Sequence, residues 1–190
     1  MVNLTRIYTR TGDAGQTRLG DNSVASKLDA RLAAYADVDE ANAHIGVAIA
    51  SGELSDDIVT VLLHVQNDLF DVGADLATPV VADPEYPPLR VEPAYVRRLE
   101  QWCDHYNESL EALRSFILSG GTLGAAHLHV ARTVVRRAER SGWAAHEQHA
   151  TSMNELALTY LNRLSDLLFI LARCANRARG DVLWVPGGER

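Results

Sequence analysis

Residues 151–179 read TSMNELALTYLNRLSDLLFILARCANRAR, and this stretch decides the fold. Its large apolar residues recur at three- and four-residue steps, which is the spacing of one face of an α-helix. They are Leu156, Tyr160, Leu164, Leu167, Leu168 and Leu171. Gly180 follows as a suitable residue to end the helix. The stretch therefore predicts a long helix with one side buried against neighbouring elements.

The same periodicity predicts four more helices upstream. We expect them at about residues 29–50, 55–77, 92–110 and 122–142. The second begins with Ser55 as a suitable N-cap. Residues 78–93 contain five prolines, and because proline interrupts helices we interpret them as a surface crossover. The predicted fold is all-α: one domain of residues 1–190, with a polar Gly/Thr-rich loop at 1–27, a five-helix bundle at 28–179 and a tail at 180–190.

Composition narrows the classes of function. The formal net charge of −7 argues against a general nucleic-acid binder, which needs a basic surface. No segment is long and apolar enough to cross a bilayer, so no membrane partner is expected. The first residues lack the apolar region of a secretion signal, and Cys103 and Cys174 are too few for a disulfide framework. We therefore expect a cytoplasmic protein.

A polar segment precedes the first predicted helix. Residues 8–21 read YTRTGDAGQTRLGD, with three glycines and three threonines. Glycine lets backbone amides point inward and threonine adds hydroxyl donors, so the segment suits an anion such as phosphate. It is not a Walker A loop, because Asp21 and Asn22 stand where lysine and serine or threonine are required. A polar loop without a ligand remains the alternative.

The fourth predicted helix carries a cationic face. Arg132, Arg136, Glu139 and Arg140 share that face, and Arg137 lies at its edge. Clustered guanidinium groups repel one another unless an anion or carboxylates neutralise them. Because arginine presents a planar fork of donors to phosphate oxygens, the pattern indicates a polyphosphate clamp. A solvated surface with Glu–Arg pairs is the alternative.

Polar residues also interrupt two apolar patterns. Asn162 and Asp166 are four residues apart on the fifth helix and need hydrogen-bond partners, so a buried network joining it to the fourth helix is one interpretation. Asp39 falls on the otherwise core-facing side of the first helix, where an unpaired carboxylate is costly. Arg132 is a plausible partner for Asp39, and a solvent-facing acidic patch is the alternative.

Histidines do not predict a metal site. His127 and His129 are two residues apart on a helix and therefore point to different faces. His146 and His149 share a face, but no third ligand stands near them in the sequence. We expect no metal held by protein side chains alone.

Three separated motifs resemble the PduO-type ATP:cob(I)alamin adenosyltransferases, also called corrinoid adenosyltransferases. The first runs from the polar loop into AYADVDEANAHIG at residues 34–46. The second contains FILSGGT, starting at Phe116, and the arginine-rich face. The third is the stretch from Tyr160 to Asn176. Each motif alone is weak, but the three in this order are specific. Ser119 stands where the family usually has proline, which affects a turn.

The resemblance implies a reaction and a set of residues. The cobalt of a reduced corrinoid attacks the 5′ carbon of ATP, giving adenosylcobalamin and triphosphate, so the corrinoid itself is the nucleophile. The implied ATP ligands are Thr9, Arg10, Thr11, Gly12, Asp13, Gly15, Gln16, Thr17, Lys27, Arg136, Arg137, Glu139, Arg140 and Asn162. The implied catalytic residues are Arg136, Asp39 and Arg132, and the implied corrinoid contacts are Phe116, Asp39 and Arg132. We add Trp184, near the C-terminus, as a further residue expected to cover the corrinoid. Mg²⁺ would arrive with ATP and contact Glu139 at most.

The resemblance further implies a homotrimer with active sites between subunits, and transfer of the product to an adenosylcobalamin-dependent enzyme. Two other functions stay open on the residues alone. A nucleotide sensor or another phosphate-binding enzyme would bind ATP without corrinoid dependence, and Phe116 would then be ordinary core. A non-catalytic bundle that stores adenosylcobalamin would bind corrinoid whether or not Arg136 is present. A scaffold without ligands would leave the polar loop unexplained.

Overall fold

The computed structural model describes residues 7–51 and 53–187 of the chain. Five α-helices confirm the predicted all-α class. They are α1 (Ala30–Ser51), α2 (Asp56–Leu76), α3 (Pro93–Asn107), α4 (Leu123–His149) and α5 (Glu155–Ala175). A short 3₁₀ turn, Ala150–Ser152, joins α4 to α5. The first six residues of the predicted loop and the last three of the predicted tail lie outside the described residues.

The polar N-terminal segment contains a small hairpin that the sequence did not predict. Strand β1 (Gln16–Arg18) pairs antiparallel with β2 (Val24–Ser26). Between them, the backbone N–H of Gly20 donates to the carbonyl of Ala77 at 2.9 Å. A Cβ at Gly20 would lie 2.0 Å from the hydroxyl of Thr78, so only glycine permits this approach. The hairpin is therefore held against the end of α2.

The core is built where α1 and α5 pack against α4, with α2 on α1 and α3 on α5. Small residues at every seventh position let α1 and α4 approach closely. They are Ala34, Ala41 and Ala48 on α1, and Ala131, Ala138 and Ala145 on α4, all fully buried. The α5 stripe from Tyr160 to Leu171 is buried as predicted. Burying each such leucine stabilises the folded state by about 1.5–3 kcal/mol, compared with leaving its side chain exposed to water.

Helix α4 is longer than predicted, and the reason is Gly142. The prediction ended the helix there, but α4 continues to His149. A Cβ at Gly142 would lie 2.3 Å from Leu158 Cδ2, so this glycine allows close packing of α4 against α5 instead of ending the helix. At the other end of α5, Asn176 is the C-cap and Gly180 lies in the turn beyond, which corrects the prediction that Gly180 caps the helix.

Buried charges on the α2 side of the bundle are paired. Asp75 accepts from Arg90 Nη1 at 2.6 Å, from the N–H of Val91 at 2.7 Å and from Asn154 Nδ2 at 2.6 Å. One carboxylate thus fixes the segments that begin α3 and α5. The sequence did not predict this arrangement.

A second paired carboxylate lies two turns earlier on α2. Asp68 accepts two hydrogen bonds from Arg98 Nη2, at 2.8 and 2.9 Å, and one from the hydroxyl of Tyr160 at 3.1 Å. Burial, reinforced by the Asp68 charge, raises the pKa of Tyr160 well above its usual value, so its hydroxyl remains a donor. These bonds join α2, α3 and α5.

None of the helices in the described part of the chain combines the length and apolar character needed to cross a membrane.

Candidate active site

The predicted phosphate-binding segment is organised around Lys27. The backbone N–H of Lys27 donates to the carbonyl of Gly15 at 2.9 Å, and a Cβ at Gly12 would lie 3.0 Å from Lys27 Nζ. Gly15 has a φ of 78°, which favours glycine. The lysine ammonium therefore lies against the backbone of Gly12, and three of the predicted ligands are close together.

Three threonine hydroxyls belong to the same segment as this lysine. The hydroxyls of Thr9 and Thr11 are 2.9 Å apart, and Thr17 lines a cavity of about 320 Å³ together with Lys27 and the start of α1. The other predicted ligands of the segment, Arg10, Asp13 and Gln16, are exposed. Donors and a cation that face solvent in this way can receive an anion.

The arginine face of α4 divides into two parts. Arg136 and Arg140 are exposed, and neither has a hydrogen bond or an ion pair within residues 7–51 and 53–187. Arg137 instead forms ion pairs with Asp37, at 3.3 Å, and with Glu40 of α1. Arg137 therefore links two helices, whereas Arg136 and Arg140 leave their positive charge available to a ligand.

Asn162 does join α5 to α4, but at the surface. Its Nδ2 donates to Glu139 Oε1 at 3.1 Å, and Asp166 pairs with Arg163 on the same helix at 3.0 Å. Both Asn162 and Asp166 are exposed, so the interpretation as a buried network is wrong. The α5 stripe occupies the core side of the helix and leaves these two positions outside.

Asp39 lies on the surface, and its predicted core-facing position is wrong. Its neighbour Val38 is buried and Asp39 is exposed, because a one-residue step turns the side chain by about 100° around a helix. No ion pair joins Asp39 to Arg132 within the described part of this chain. Arg132 instead donates to the hydroxyl of Ser119 at 3.5 Å.

An aromatic cavity lies beside Arg132. Its volume is about 710 Å³. It is lined by Leu113, Arg114, Ser115, Phe116, Ile117, Ser119, His129, Arg132, Phe169 and Trp184. Phe116 is 81% exposed, so the alternative that it is ordinary core is wrong. The rings of Phe116 and Trp184 meet edge to face with centroids 6.2 Å apart. Three predicted corrinoid contacts, Phe116, Arg132 and Trp184, therefore share one cavity, which the surface residue Asp39 does not line.

Unpartnered nitrogens lie on this cavity. His129 is 2% exposed, and neither of its ring nitrogens has a hydrogen-bond partner among the described residues; the same holds for Arg132 Nε. Burial, and then the nearby Arg132 charge, lowers the pKa of His129, so the imidazole is neutral. Burial likewise lowers the pKa of Arg132, with Arg136 adding to the effect. Sequence reasoning did not select His129, although its three-residue spacing from Arg132 was an available signal.

The C-terminal segment forms one side of the cavity. The N–H of Trp184 donates to the carbonyl of Phe116 at 2.7 Å, and the N–H of Leu118 donates to the carbonyl of Val182 at 2.8 Å. The segment therefore pairs antiparallel with the FILS stretch of the second motif. This pairing is what brings Trp184 to Phe116.

The loop around Lys27 and the arginine face of α4 are not joined by polar contacts among the described residues. No hydrogen bond or ion pair joins residues 9–27 to Arg132, Arg136 or Arg140. The described residues also contain no group of three or more His, Cys, Asp or Glu side chains arranged to hold a metal ion. A cationic helix face beside an aromatic cavity can bind a flat apolar molecule and a polyphosphate next to each other.

Comparisons with known proteins agree with this chemistry. The family model described as cobalamin adenosyltransferase matches residues 7–175. The corrinoid adenosyltransferase of Mycobacterium tuberculosis is 62% identical over 189 residues, covering 100% of this chain and 97% of the relative. The cobalamin adenosyltransferase of Cupriavidus metallidurans is 48% identical, with 95% of each chain covered.

Solved structures show the same similarity. A variant of the PduO-type ATP:corrinoid adenosyltransferase from Lactobacillus reuteri, complexed with cobalamin and ATP, superposes with a TM-score of 0.87 at 38% identity, covering 94% of this chain and 96% of that chain. Another variant of that enzyme, complexed with ATP, gives a TM-score of 0.82 at 38% identity, covering 95% of this chain and all of the other.

Proposed function

The chain belongs to the cobalamin adenosyltransferase family and catalyses the ATP-dependent adenosylation of a corrinoid, and we propose that it does so at the α4 face and the adjoining aromatic cavity. This assignment of the site rests on one observation, that the aromatic cavity and an arginine unpaired within the described residues are neighbours on α4. Arg132 lines the cavity, and Arg136, one helical turn further along α4, has no counter-ion in the described chain. The cavity and the free cation are therefore separated by about 6 Å along the helix axis.

The triphosphate of ATP would bind to the free cations. Arg136 and Arg140 repel one another until an anion lies between them, and triphosphate supplies several negative charges. When the 5′ carbon leaves ATP, negative charge develops on the departing oxygen. A fixed guanidinium beside that oxygen stabilises the transition state more than the ground state. We assign this task to Arg136, with Asn162 and Glu139 positioning the nucleotide.

The corrinoid would occupy the aromatic cavity. Phe116 and Trp184 offer exposed apolar surface that a flat macrocycle can cover. Phe116 would keep water and a lower ligand away from cobalt, and a four-coordinate cobalt(II) is easier to reduce to the nucleophilic cobalt(I). The protein supplies binding, orientation and charge, and the substrate supplies the nucleophile.

The finer points of the assembly are also proposals. Mg²⁺ would enter with ATP, and Glu139 is the carboxylate that shares the face with the arginines. The loop around Lys27 and the face around Arg136 would meet between subunits of a homotrimer; in support, no hydrogen bond or ion pair joins them within the described part of one chain. The product would pass to an adenosylcobalamin-dependent enzyme. The free Cys103 and Cys174 suit the reducing cytoplasm.

An anaerobic assay tests the proposed site. Purified protein, MgATP and chemically reduced cobalamin are followed by visible spectrum and by triphosphate release. We expect the adenosylcobalamin spectrum and an equal amount of triphosphate, with a large loss in Arg136→Ala. The matched control is Arg97→Ala, which removes an exposed arginine from α3. Equal losses in both variants, or none in either, would contradict the site.

A further inference from the structure

We propose that Arg173 and Asp181 are positioning residues that hold the C-terminal segment against the cavity, so that Phe116 and Trp184 present a single wall to the corrinoid. The residues 181–185 are called the tail strand below. The inference rests on the proposed function, since it assumes that the aromatic cavity takes the corrinoid. It adds two residues, remote from the reacting atoms, that the proposed mechanism does not use.

The first anchor of the tail strand is an ion pair at the end of α5. Arg173 is 8% exposed, and its Nε donates to Asp181 Oδ2 at 2.8 Å. The Nη2 of the same guanidinium donates to the carbonyl of Glu111 at 2.8 Å. One buried arginine thus ties the end of α5 both to the tail strand and to the segment that leads into Phe116.

Asn176 fixes the other carboxylate oxygen. Its Nδ2 donates to Asp181 Oδ1 at 3.3 Å and to the carbonyl of Gly120 at 2.9 Å. Its Oδ1 accepts from the N–H of Thr122, at the start of α4, at 2.9 Å. A Cβ at Gly121 would lie 2.0 Å from that oxygen, so glycine is required there. Asp181 is therefore set relative to α4, the helix that carries Arg132.

The tail strand in turn holds the aromatic pair through the backbone. Besides the two bonds that pair it with the FILS stretch, the hydroxyl of Ser115 donates to the carbonyl of Trp184 at 3.0 Å. The aromatic rings are poorly buried, with Phe116 81% and Trp184 42% exposed. Packing in the core cannot fix their positions. Backbone pairing and its anchors must do so.

Such a pairing is weak without its anchors. Two short strands alone are marginally stable in water. The side chains of Val182 and Leu183 are exposed, so the tail strand gains little from apolar burial. The charged bond between Arg173 and Asp181 is the strongest class of hydrogen bond in the segment. Losing it should therefore release the cavity wall while leaving the bundle folded.

The test uses the full chain and the variant Asp181→Asn, with Asp68→Asn as matched control. Each change removes the charge from the partner of an arginine, but Asp68 lies between α2 and α3, away from the cavity. We expect Asp181→Asn to raise the KM for corrinoid about tenfold, equivalent to ~1.4 kcal/mol. The KM for ATP should stay within about twofold of wild type, because the free arginines of α4 are untouched. Asp68→Asn should lower the melting temperature and leave both KM values unchanged.

A binding measurement supplies a readout that activity does not. Trp184 lies in the wall, so bound cobalamin should quench its fluorescence, and Trp184→Phe defines its share of the signal. At saturating cobalamin, Asp181→Asn should lose much of the quenching that comes from Trp184. Asp181→Glu should recover part of that quenching. Ser115→Ala, a mild change at a half-buried residue, should raise the KM for corrinoid about fivefold, the scale of one neutral hydrogen bond.

The outcomes separate the two claims. If wild type forms adenosylcobalamin and Asp181→Asn retains the wild-type KM for corrinoid and the wild-type quenching, the positioning role is overturned and the proposed function stands. If wild type forms none, the proposed function itself is overturned. Should Asp181→Asn fail to fold, Ser115→Ala decides, because an unchanged KM for corrinoid there contradicts a wall held by the tail strand.

Discussion

The α2 side and the α4 side of the bundle treat charge in opposite ways. On the α2 side, Asp68 and Asp75 each receive an arginine and further donors from the protein itself. On the α4 side, Arg136 and Arg140 have no counter-ion within the described chain, and His129 has no partner for either ring nitrogen. In the first region each buried carboxylate has its arginine, and of the buried side-chain atoms described there, only Arg98 Nε lacks a hydrogen-bond partner. In the second region, under the proposed function, a ligand would supply the missing partners.

This difference has an energetic meaning. A paired buried charge supports folding mainly because removing its partner leaves an uncompensated ion. Unpaired like charges and unpartnered buried nitrogens cost stability, and proteins keep such violations chiefly at functional sites. The comparison therefore assigns stability to the α2 carboxylates and ligand chemistry to the α4 cations. Substitutions on the two sides should therefore separate loss of stability from loss of activity.

Asp75→Ala should have the largest effect, on folding alone. It leaves Arg90 without its carboxylate and the N–H of Val91 without its acceptor, and it removes one of the two hydrogen bonds that Asn154 Nδ2 donates. The free energy of unfolding should fall by about 3–5 kcal/mol, the usual result of removing one partner of a buried pair. Urea denaturation measures the loss. The rate per folded molecule should match wild type, and a specific loss of catalysis would contradict the division between the two sides.

Arg136→Ala should reverse that pattern. The rate should fall by about 10²–10³-fold, as when other preorganised donors at a developing charge are removed. Unfolding should change by no more than about 0.5 kcal/mol, because the side chain is exposed and has no protein partner among the described residues. Single-turnover kinetics with Arg97→Ala beside it measure the contrast. A stability loss without a rate loss would make Arg136 a structural residue.

Phe116→Ala should affect corrinoid use more than folding. Truncating an aromatic anchor costs about 2 kcal/mol of binding, or roughly thirtyfold. Because the ring is 81% exposed, unfolding should change by no more than about 0.5 kcal/mol. Cobalamin titration and calorimetric binding of ATP distinguish the two substrates. Unchanged cobalamin affinity would contradict the assignment of Phe116 as a corrinoid contact.

His129→Phe should have the smallest effect, visible as a pH dependence. The pKa of His129 lies below its ordinary 6.5 in the folded protein, chiefly because of burial. The unfolded chain then binds a proton first as pH falls, so this group contributes full stability above about pH 6.5 and loses it below. The variant should therefore lose less stability than wild type as the pH falls below about 6.5. At pH 8 it should be no less stable than wild type, since it buries no unpartnered nitrogen. If the free energy of unfolding of the variant and of wild type changes in parallel with pH, the proposed contribution of His129 is contradicted.

The sequence predicted whatever depends on local spacing. Apolar periodicity found all five helices, and the arginine spacing on α4 found the free cations. It failed where contacts between distant segments decide. Gly142 was predicted to end α4 because its contact with Leu158 of α5 leaves no mark on the local sequence. Asp39 was predicted to face the core because a shift of one residue along α1 turns a side chain by about 100°, from the buried side to the exposed side.

Other parts of the site had little local signal. The tail strand has no alternating pattern, and its partner is more than sixty residues away, so its pairing with Phe116 could not be read from either segment. Trp184 was selected only for its place near the C-terminus, without a motif around it. The hairpin before α1 depends on a close approach to Thr78 that no local composition indicates.

Complementation between two inactive variants shows directly whether the loop and the α4 face meet between subunits. Lys27→Ala damages the loop and Arg136→Ala damages the helix face, and the claim is that these parts meet between subunits. When equal amounts are unfolded and reassembled together, a site is intact only if each of its two contributing chains is intact there. Random assembly of a ring then restores about a quarter of wild-type activity. Activity no higher than the mean of the two variants alone would contradict the account, because both parts would then serve the same chain.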